Sequence, residues 1–261
     1  MSTLVVIPAR IGSTRLPGKP LRLLAGRPMI ARVAERVADL GLGDTVIVAT
    51  DDERVVSAVE GTGVRAVVTS VGHASGTDRV AEAASRLEFA GHDIVLNIQG
   101  DEPFVSRDAA ATALAMVEGG RFPVGTAACR DSAAILRDPA VVKVVRRDDG
   151  GAMYFSRAAI PFLRDDGGFA LRELLVLRHI GVYAYTREAL MKWVALPQSA
   201  LERVEQLEQL RPLGAGIPIG VGLAAGTPHG GIDTEDDLRR ANDAWPPDTA
   251  PAASPSHAGH S

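Results

Sequence analysis

Short runs of β-branched and other apolar residues alternate with segments of helical periodicity along the first 117 residues. Four of these runs are predicted as strands, at residues 4–7, 45–49, 66–69 and 94–98. Continuous apolar strands separated by helices predict an α/β fold with a mostly parallel sheet covered on both faces. Ligands of such sheets bind beyond the carboxyl ends of the strands. The polar segments that follow the predicted strands are therefore the first candidates for a functional site.

The pattern changes after residue 117, where the predicted strands follow one another with less helix between them. These strands are predicted at residues 124–130, 141–146, 152–155 and 178–185, and a further strand is predicted at residues 217–223, after two helices. We interpret about residues 122–200 as a mixed extension of the sheet or a smaller second lobe. This lobe would be inserted in one domain of residues 1–245.

The last part of the chain is predicted to be helical and then disordered. Helices are predicted at residues 187–194, 200–210 and 234–242. Thr234 is a plausible N-cap of the last helix, because Asp237 stands three residues on, as in a capping box. Pro, Ala, Ser and His predominate afterwards, so residues 246–261 are predicted to be a disordered tail.

Composition excludes several classes of protein. The chain has 28 basic and 32 acidic residues, a net charge of −4, so we expect no nucleic-acid partner. No apolar run approaches the roughly 20 residues of a membrane span, and the first apolar run has no basic segment before it, so it is predicted as a strand rather than a signal peptide. Cys129 is the single cysteine. It is predicted to be a buried small apolar residue, and we expect a cytoplasmic protein.

A basic segment, residues 8–20, follows the first predicted strand and contains no acidic residue. Its cations are Arg10, Arg15 and Lys19, and such charge beside free backbone amides suits a polyphosphate. The segment is not a P-loop, because five residues separate its two glycines and proline follows the lysine where a hydroxyl would hold magnesium. The alternative is an exposed basic loop without a ligand.

An acidic segment with Asp101 and Glu102 comes directly after the fourth predicted strand. Carboxylates at this edge of a sheet could hold a hard divalent ion that also contacts phosphate oxygens. A turn with solvated acids explains the same residues, and both interpretations stay open.

A third polar segment follows the third predicted strand. Ser75 or Thr77 is predicted to cap the next helix, and Asp78 in its first turn is favourable to the helix dipole. This structural role does not prevent His73 and Ser75 from contacting a ligand.

These three segments resemble the cytidylyltransferases that make CMP-activated sugar acids. The resemblance continues through residues 139–145, 154–161, 178–185, 201–211 and 232–238. It is collinear from about residue 3 to residue 242. It implies a Rossmann-like nucleotidyltransferase fold, mostly parallel, with a smaller mixed second lobe.

The resemblance also implies roles for individual residues. The CTP site is expected at Pro8, Ala9, Arg10, Ser13, Arg15, Lys19, His73, Ser75 and Gly76. The acceptor site is expected at Arg79, Gln99, Arg157, His179, Tyr183, Tyr185, Glu208 and Gln209, and a nucleotide contact is the alternative for Gln99. Asp101 and Asp233 are expected to hold Mg²⁺, and the catalytic residues are expected to be Arg10, Lys19, Asp101 and Asp233.

Structural interpretations of the acceptor residues remain alternatives. Tyr183 and Tyr185 alternate on one strand face and could be core residues. Glu208 and Gln209 could lie on the solvated face of a helix, and Arg157 could be a surface cation.

The resemblance implies the reaction of CTP with a sugar acid, giving a CMP-sugar acid and pyrophosphate. The expected acceptor is 3-deoxy-manno-octulosonate (Kdo), which implies lipopolysaccharide biosynthesis, and a homodimer is expected. One alternative keeps the chemistry but uses another sugar acid or a small phosphonate. A more distant alternative is a non-catalytic nucleotide-binding sensor.

Overall fold

The computed structural model describes residues 1–165 and 168–246. The tail predicted at residues 246–261 lies, after residue 246, outside the described residues.

The secondary structure alternates in the first half of the chain as predicted. The strands are β1 (Thr3–Ala9), β2 (Leu23–Leu24), β3 (Arg27–Pro28), β4 (Thr45–Thr50), β5 (Arg65–Val68), β6 (Ile94–Asn97), β7 (Val124–Arg130), β8 (Lys143–Arg146), β9 (Ala152–Ser156), β10 (Leu177–Thr186) and β11 (Ile219–Leu223). The α-helices are α1 (Met29–Asp39), α2 (Glu53–Val59), α3 (Gly76–Ser85), α4 (Arg107–Glu118), α5 (Phe169–Leu175), α6 (Arg187–Ala195), α7 (Ala200–Glu205), α8 (Leu210–Gly214) and α9 (Glu235–Ala244). Among the described residues, no helix is long and apolar enough to cross a membrane.

A nine-stranded sheet forms the centre of the molecule, in the order β11-β7-β10-β6-β1-β4-β5, with β8 and β9 attached beside β10. The pairs among β1, β4, β5 and β6 are parallel, and so is the pair of β7 with β11. Only β10 runs antiparallel along this path, against both β6 and β7. The predicted mostly parallel sheet is confirmed, and the loops after β1, β5, β6 and β11 meet at one edge.

Both faces of the sheet are covered. Side chains of β1 alternate between two apolar clusters, with Val5 and Ile7 in one and Leu4 and Val6 in the other. Helices α1 and α4 pack on the first face, and α3 and α6 pack on the second. Cys129 is buried in the first cluster, as predicted.

The strands of the predicted second lobe continue the main sheet. The second half of β10 pairs with β6, whereas its first half extends beyond the carboxyl end of β6 and reaches β8. The β8–β9 hairpin is thereby held beyond the end of β6. This arrangement leaves room for a ligand between the hairpin and the loops at the carboxyl edge.

The helix predicted at residues 200–210 is wrong as a single helix. Helix α7 ends at Glu205 and α8 begins only at Leu210, because the chain turns at Gln206, whose backbone adopts the left-handed conformation with φ of 53°. The turn lets Glu205 accept hydrogen bonds from the Ser156 hydroxyl, at 2.6 Å, and from the Arg157 backbone, at 2.9 Å. A tertiary contact thus outweighs a continuous helical pattern.

Helix α5 was not predicted from the sequence. None of its residues is buried, and its apolar side chains Phe169, Leu171 and Leu174 are exposed. Hydrophobic periodicity predicts a helix from the apolar face that it buries, and α5 buries no face, so the sequence gave no such signal. Helix α9, in contrast, begins as predicted, with Thr234 and Asp237 forming a capping box.

Candidate active site

A cleft of about 270 Å³ opens at the carboxyl edge of the sheet, and we call it the loop cavity. Segments after β1, β5, β6 and β11 supply most of its walls. It is lined by Pro8, Arg10, Ser13, Thr14, Arg15, Lys19, Pro20, Ala74, Ser75, Gly76, Arg79, Gln99, Gly100, Asp101, Glu208 and Asp233. The three polar segments of the sequence therefore meet in one place.

The basic segment after β1 is anchored by apolar residues and presents its cations to the cavity. Leu16 and Pro20 are buried, whereas Arg10 and Arg15 are exposed. Gly18 has a φ of 65°, a conformation that side chains disfavour, and it turns the chain into the short 3₁₀ helix that begins at Lys19. All three cations of the segment line the cleft.

Lys19 lies between the two carboxylates that were predicted as metal ligands. Its ammonium donates to Asp101 Oδ2 at 2.5 Å and to Asp233 Oδ1 at 2.8 Å. Burial acts to lower the pKa of Lys19, but attraction to Asp101 and the hydrogen bonds to both carboxylates outweigh burial and raise it. Lys19 is therefore charged, and Arg15 adds a second cation 3.1 Å from Asp233.

The backbone brings the two carboxylates together although they are far apart in sequence. Gly100 permits the close approach, because a Cβ at this position would lie 2.6 Å from the Pro8 carbonyl oxygen. The Ile232 amide donates to the Asp101 carbonyl at 2.9 Å. Asp233 immediately precedes the N-cap of α9, and its amide donates to Asp237 at 3.1 Å.

The carboxylates of Asp101 and Asp233 fit a divalent metal ion that is also coordinated by phosphate oxygens. Asp101 and Asp233 already face one common cation, and both offer hard oxygen atoms. Across residues 1–165 and 168–246, no cluster of three or more His, Cys, Asp or Glu side chains could hold an ion. Two carboxylates completed by phosphate oxygens and water are the usual environment of Mg²⁺, rather than a cage of protein ligands.

A second cavity of about 280 Å³, the lobe cavity, joins the first at Gly76, Gln99 and Glu208. It lies where β10 extends beyond β6. It is lined by Gly76, Thr77, Asn97, Gln99, Val142, His179, Gly181, Tyr183, Trp193, Gln206, Leu207, Glu208 and Gln209. Two ligands bound in these cavities would meet beside Gln99 and Glu208.

Burial shifts the pKa values of two titratable side chains in the lobe cavity, Glu208 and His179. Glu208 accepts a hydrogen bond from the Thr77 hydroxyl at 2.8 Å, and burial raises the pKa of Glu208 above its usual value. Burial also lowers the pKa of His179 to about 3, so its ring is neutral at physiological pH. The ring nitrogen Nε2 of His179 lies 3.0 Å from the Thr126 hydroxyl. The cavity therefore offers neutral hydrogen-bonding groups beside one carboxyl group.

Most of the residues expected from the sequence line one of the two cavities, but four do not. Ala9 is buried at the end of β1, and His73 is hydrogen-bonded to Glu82. Tyr185 is fully buried beneath Tyr183, the core position that was the alternative interpretation. The guanidinium of Arg157 donates hydrogen bonds to the backbone carbonyls of Glu205 and Pro139, at 2.8 and 2.9 Å. In addition, Asn97 and Trp193 line the lobe cavity and were missed.

Arg79 lines the loop cavity and is bound in an ion pair. It donates to Asp51 at 2.8 Å, and the two side chains are only 3% and 11% exposed. Asp51 also accepts a hydrogen bond from the amide of Ile11 at 3.2 Å. The pair thus ties helix α3 to the basic segment.

We expect Arg79→Met to lower the free energy of unfolding by about 3 kcal/mol, because it leaves Asp51 as a buried charge without its partner. The control is Arg65→Met, which breaks the exposed pair with Glu88 and should cost less than about 1 kcal/mol. Urea unfolding measures both. An equal decrease in the free energy of unfolding in the two variants would show that the buried pair stabilises the fold no more than the exposed pair.

A cationic loop, paired carboxylates and two joined clefts lie at the carboxyl edge of a parallel sheet, an arrangement suited to a nucleotide bound beside a second substrate. Comparisons with known proteins agree. The cytidylyltransferase family model matches residues 4–219. The chain belongs to this cytidylyltransferase family and is an enzyme of the nucleotidyltransferase class.

The similar relatives include 3-deoxy-manno-octulosonate cytidylyltransferases. The protein of that name from Gemmatimonas aurantiaca is 56% identical over 245 residues, covering 94% of this chain and 95% of its own. The one from Stenotrophomonas maltophilia is 48% identical over 246 residues, covering 91% and 94%. A solved structure of CMP:2-keto-3-deoxy-manno-octonic acid synthetase complexed with CTP superimposes with a TM-score of 0.84. It is 39% identical, and the match covers 93% of this chain and 98% of that one.

Proposed function

We propose that the enzyme transfers the cytidylyl group of CTP to Kdo, giving CMP-Kdo and pyrophosphate. The observation that carries the proposal is the junction of the two cavities at Gln99 and Glu208, with cations on one side and neutral polar groups on the other. The names of the similar relatives, and the CTP with which the similar synthetase is complexed, support the same pair of substrates.

In the proposed reaction, CTP occupies the loop cavity and Kdo the lobe cavity. The anomeric hydroxyl of Kdo attacks the α-phosphorus, and pyrophosphate leaves in line. Such chemistry depends on positioning and charge neutralisation more than on covalent help. Arg10, Arg15 and Lys19 stabilise the negative charge of the departing pyrophosphate. Ser75 and Gly76 begin helix α3 and contact the nucleotide at the wall between the cavities.

Asp101 and Asp233 are proposed to hold Mg²⁺ in this reaction. The ion, when bound, neutralises phosphate charge and lowers the pKa of the attacking hydroxyl. In the structure, the Lys19 ammonium donates to both carboxylates. Phosphate oxygens bound in the cavity would be alternative acceptors for it. Arg10 and Arg15, which are exposed, then close over the same phosphates.

The wider setting of the enzyme is part of the proposal. A homodimer formed through the second lobe is supported by exposed apolar side chains on and near α5, including Phe162, Leu171 and Leu174. The reaction would supply activated Kdo for lipopolysaccharide biosynthesis in the cytoplasm.

A pyrophosphate-release assay tests the proposed function. We expect full release only when CTP, Kdo and Mg²⁺ are all present, and much weaker release when ATP, GTP or UTP replaces CTP. A nine-carbon keto acid and simple phosphonates serve as alternative acceptors. Turnover of a phosphonate without turnover of Kdo would overturn the acceptor, and CTP binding without any turnover would favour the sensor.

A further inference from the structure

Residues 206–209 form one wall of the lobe cavity and belong to neither α7 nor α8. We call this segment the acceptor wall. It begins at Gln206, where the left-handed backbone ends α7, and its residues Leu207 and Gln209 are buried. Because the acceptor wall lies outside the regular hydrogen bonds of a helix or strand, its position depends on contacts with other parts of the molecule.

Glu205, the last residue of α7, anchors the acceptor wall to strand β9. One carboxylate oxygen accepts hydrogen bonds from the Ser156 hydroxyl at 2.6 Å and the Tyr154 hydroxyl at 3.4 Å, and the other accepts one from the Arg157 amide at 2.9 Å. The backbone carbonyl of Glu205 accepts a further bond from the Arg157 guanidinium at 2.8 Å. Four hydrogen bonds thus join the end of α7 to the end of β9.

The carboxyl group of Glu205 is ionised in this setting. Burial acts to raise the pKa of Glu205, but the hydrogen bonds from Ser156, the Arg157 amide and Tyr154 outweigh burial and lower it. An ionised carboxylate only accepts hydrogen bonds, which matches the three donors around it. Hydrogen bonds to a charged group are stronger than those between neutral groups, so this anchor is a firm one.

The other side of this contact is fixed to the central sheet. Ser156 is 1% exposed and pairs with the first residue of β8 across the β8–β9 hairpin. Val142 immediately precedes β8 and lines the lobe cavity, and its carbonyl accepts a hydrogen bond from the His179 amide of β10 at 2.9 Å. Glu205 therefore joins two sides of the lobe cavity, the acceptor wall and the hairpin side that carries Val142.

Resting on the proposed function, we propose that Glu205 is a positioning residue for the sugar-acid acceptor, which holds the acceptor wall in place against the β8–β9 hairpin. Glu205 lines neither cavity, so it acts through the acceptor wall and not by contact with a substrate. Without this anchor, Kdo would have to order the wall on binding, and that cost lowers its affinity. Of residues 206–209, only Glu208 also lines the loop cavity, so the effect on CTP is smaller.

The test uses Glu205→Ala and Glu205→Gln in the full-length enzyme. Glu205→Ala removes every side-chain bond to β9, and we expect the KM for Kdo to rise about tenfold or more, with kcat and the KM for CTP within about threefold of the wild-type values. Glu205→Gln keeps one acceptor oxygen, so it should restore part of the affinity for Kdo.

Ser156→Ala tests the same contact from the other side. It removes one donor to Glu205, and we expect the KM for Kdo to rise about threefold. Combined with Glu205→Ala, it should add little to the effect of Glu205→Ala alone, because both substitutions break one contact.

Asp44→Ala is a matched control. Asp44 also accepts a hydrogen bond from a distant backbone amide, that of Thr3 at 2.7 Å, but at the opposite edge of the sheet. This variant should lower the urea midpoint of unfolding and leave both KM values unchanged, which separates positioning from loss of stability.

An unchanged KM for Kdo in Glu205→Ala, or an equal rise in the KM for CTP, overturns the inference. Should Glu205→Ala fold poorly, Glu205→Gln and Ser156→Ala decide by the same comparison of the two KM values. Absence of Kdo turnover in the wild-type enzyme would instead refute the proposed function.

Discussion

Asp101→Asn is expected to lower kcat for pyrophosphate release by about 100-fold or more while leaving the fold intact. The substitution keeps the shape of the side chain but removes the charge that faces Lys19 at 2.5 Å and that a hard cation requires. Asp233→Asn should have the same effect, because Asp233 faces the same ammonium at 2.8 Å. The measurement is kcat at saturating CTP, Kdo and Mg²⁺.

The control for this prediction is Asp236→Asn. Asp236 lies three residues from Asp233 on helix α9, pairs with Arg239 and is 67% exposed. It does not line the loop cavity, so kcat should stay within twofold. Urea unfolding verifies that all three variants fold. Near-normal turnover in Asp101→Asn or Asp233→Asn would show that the altered carboxylate is not a metal ligand.

The second large effect is expected for Lys19→Ala. Loss of a charge-assisted contact to phosphate costs about 1.5–3 kcal/mol, which corresponds to a decrease of about 10–150-fold in kcat/KM for CTP. Lys19→Arg should restore little of it, because a planar guanidinium does not fit the place of a compact ammonium between two carboxylates. The sequence supports this view, since Lys19 is one of only three lysines among 28 basic residues.

Lys192→Ala provides the comparison for Lys19. Lys192 is 64% exposed on α6 and pairs with Glu188 one helical turn away, so its loss should leave kcat/KM unchanged. Wild-type activity in Lys19→Arg would refute the requirement for an ammonium and leave only a requirement for positive charge.

The parallel sheet was predictable because its strands are continuous apolar runs that periodicity detects. The start of α9 was predictable for a local reason too, since Thr234 and Asp237 form a capping box within one turn. The break at Gln206 was not predictable, because it depends on Glu205 reaching Ser156 and Arg157 about 50 residues away. Helix α5 was missed because none of its side chains is buried.

Most of the loop cavity was predictable from the sequence because its segments after β1, β5 and β6 follow strands that end at the same edge. The resemblance to a family added Asp233, which no local pattern linked to Asp101. Sequence reasoning missed Asn97 and Trp193. A polar residue at the end of an apolar strand was the available signal for Asn97. Trp193 carried no signal, since a buried tryptophan on a helix is ordinary core packing until the topology places it beside a cavity.

The most direct test of the proposed reaction follows an oxygen atom. Kdo that carries oxygen-18 in its anomeric hydroxyl is incubated with CTP, Mg²⁺ and the wild-type enzyme, and the products are examined by ³¹P NMR. We predict CMP-Kdo with the label in the bridge between the sugar and the phosphorus, and unlabelled pyrophosphate. CMP-Kdo without the label would contradict attack by the sugar hydroxyl on the α-phosphorus, and absence of CMP-Kdo would contradict the proposed function.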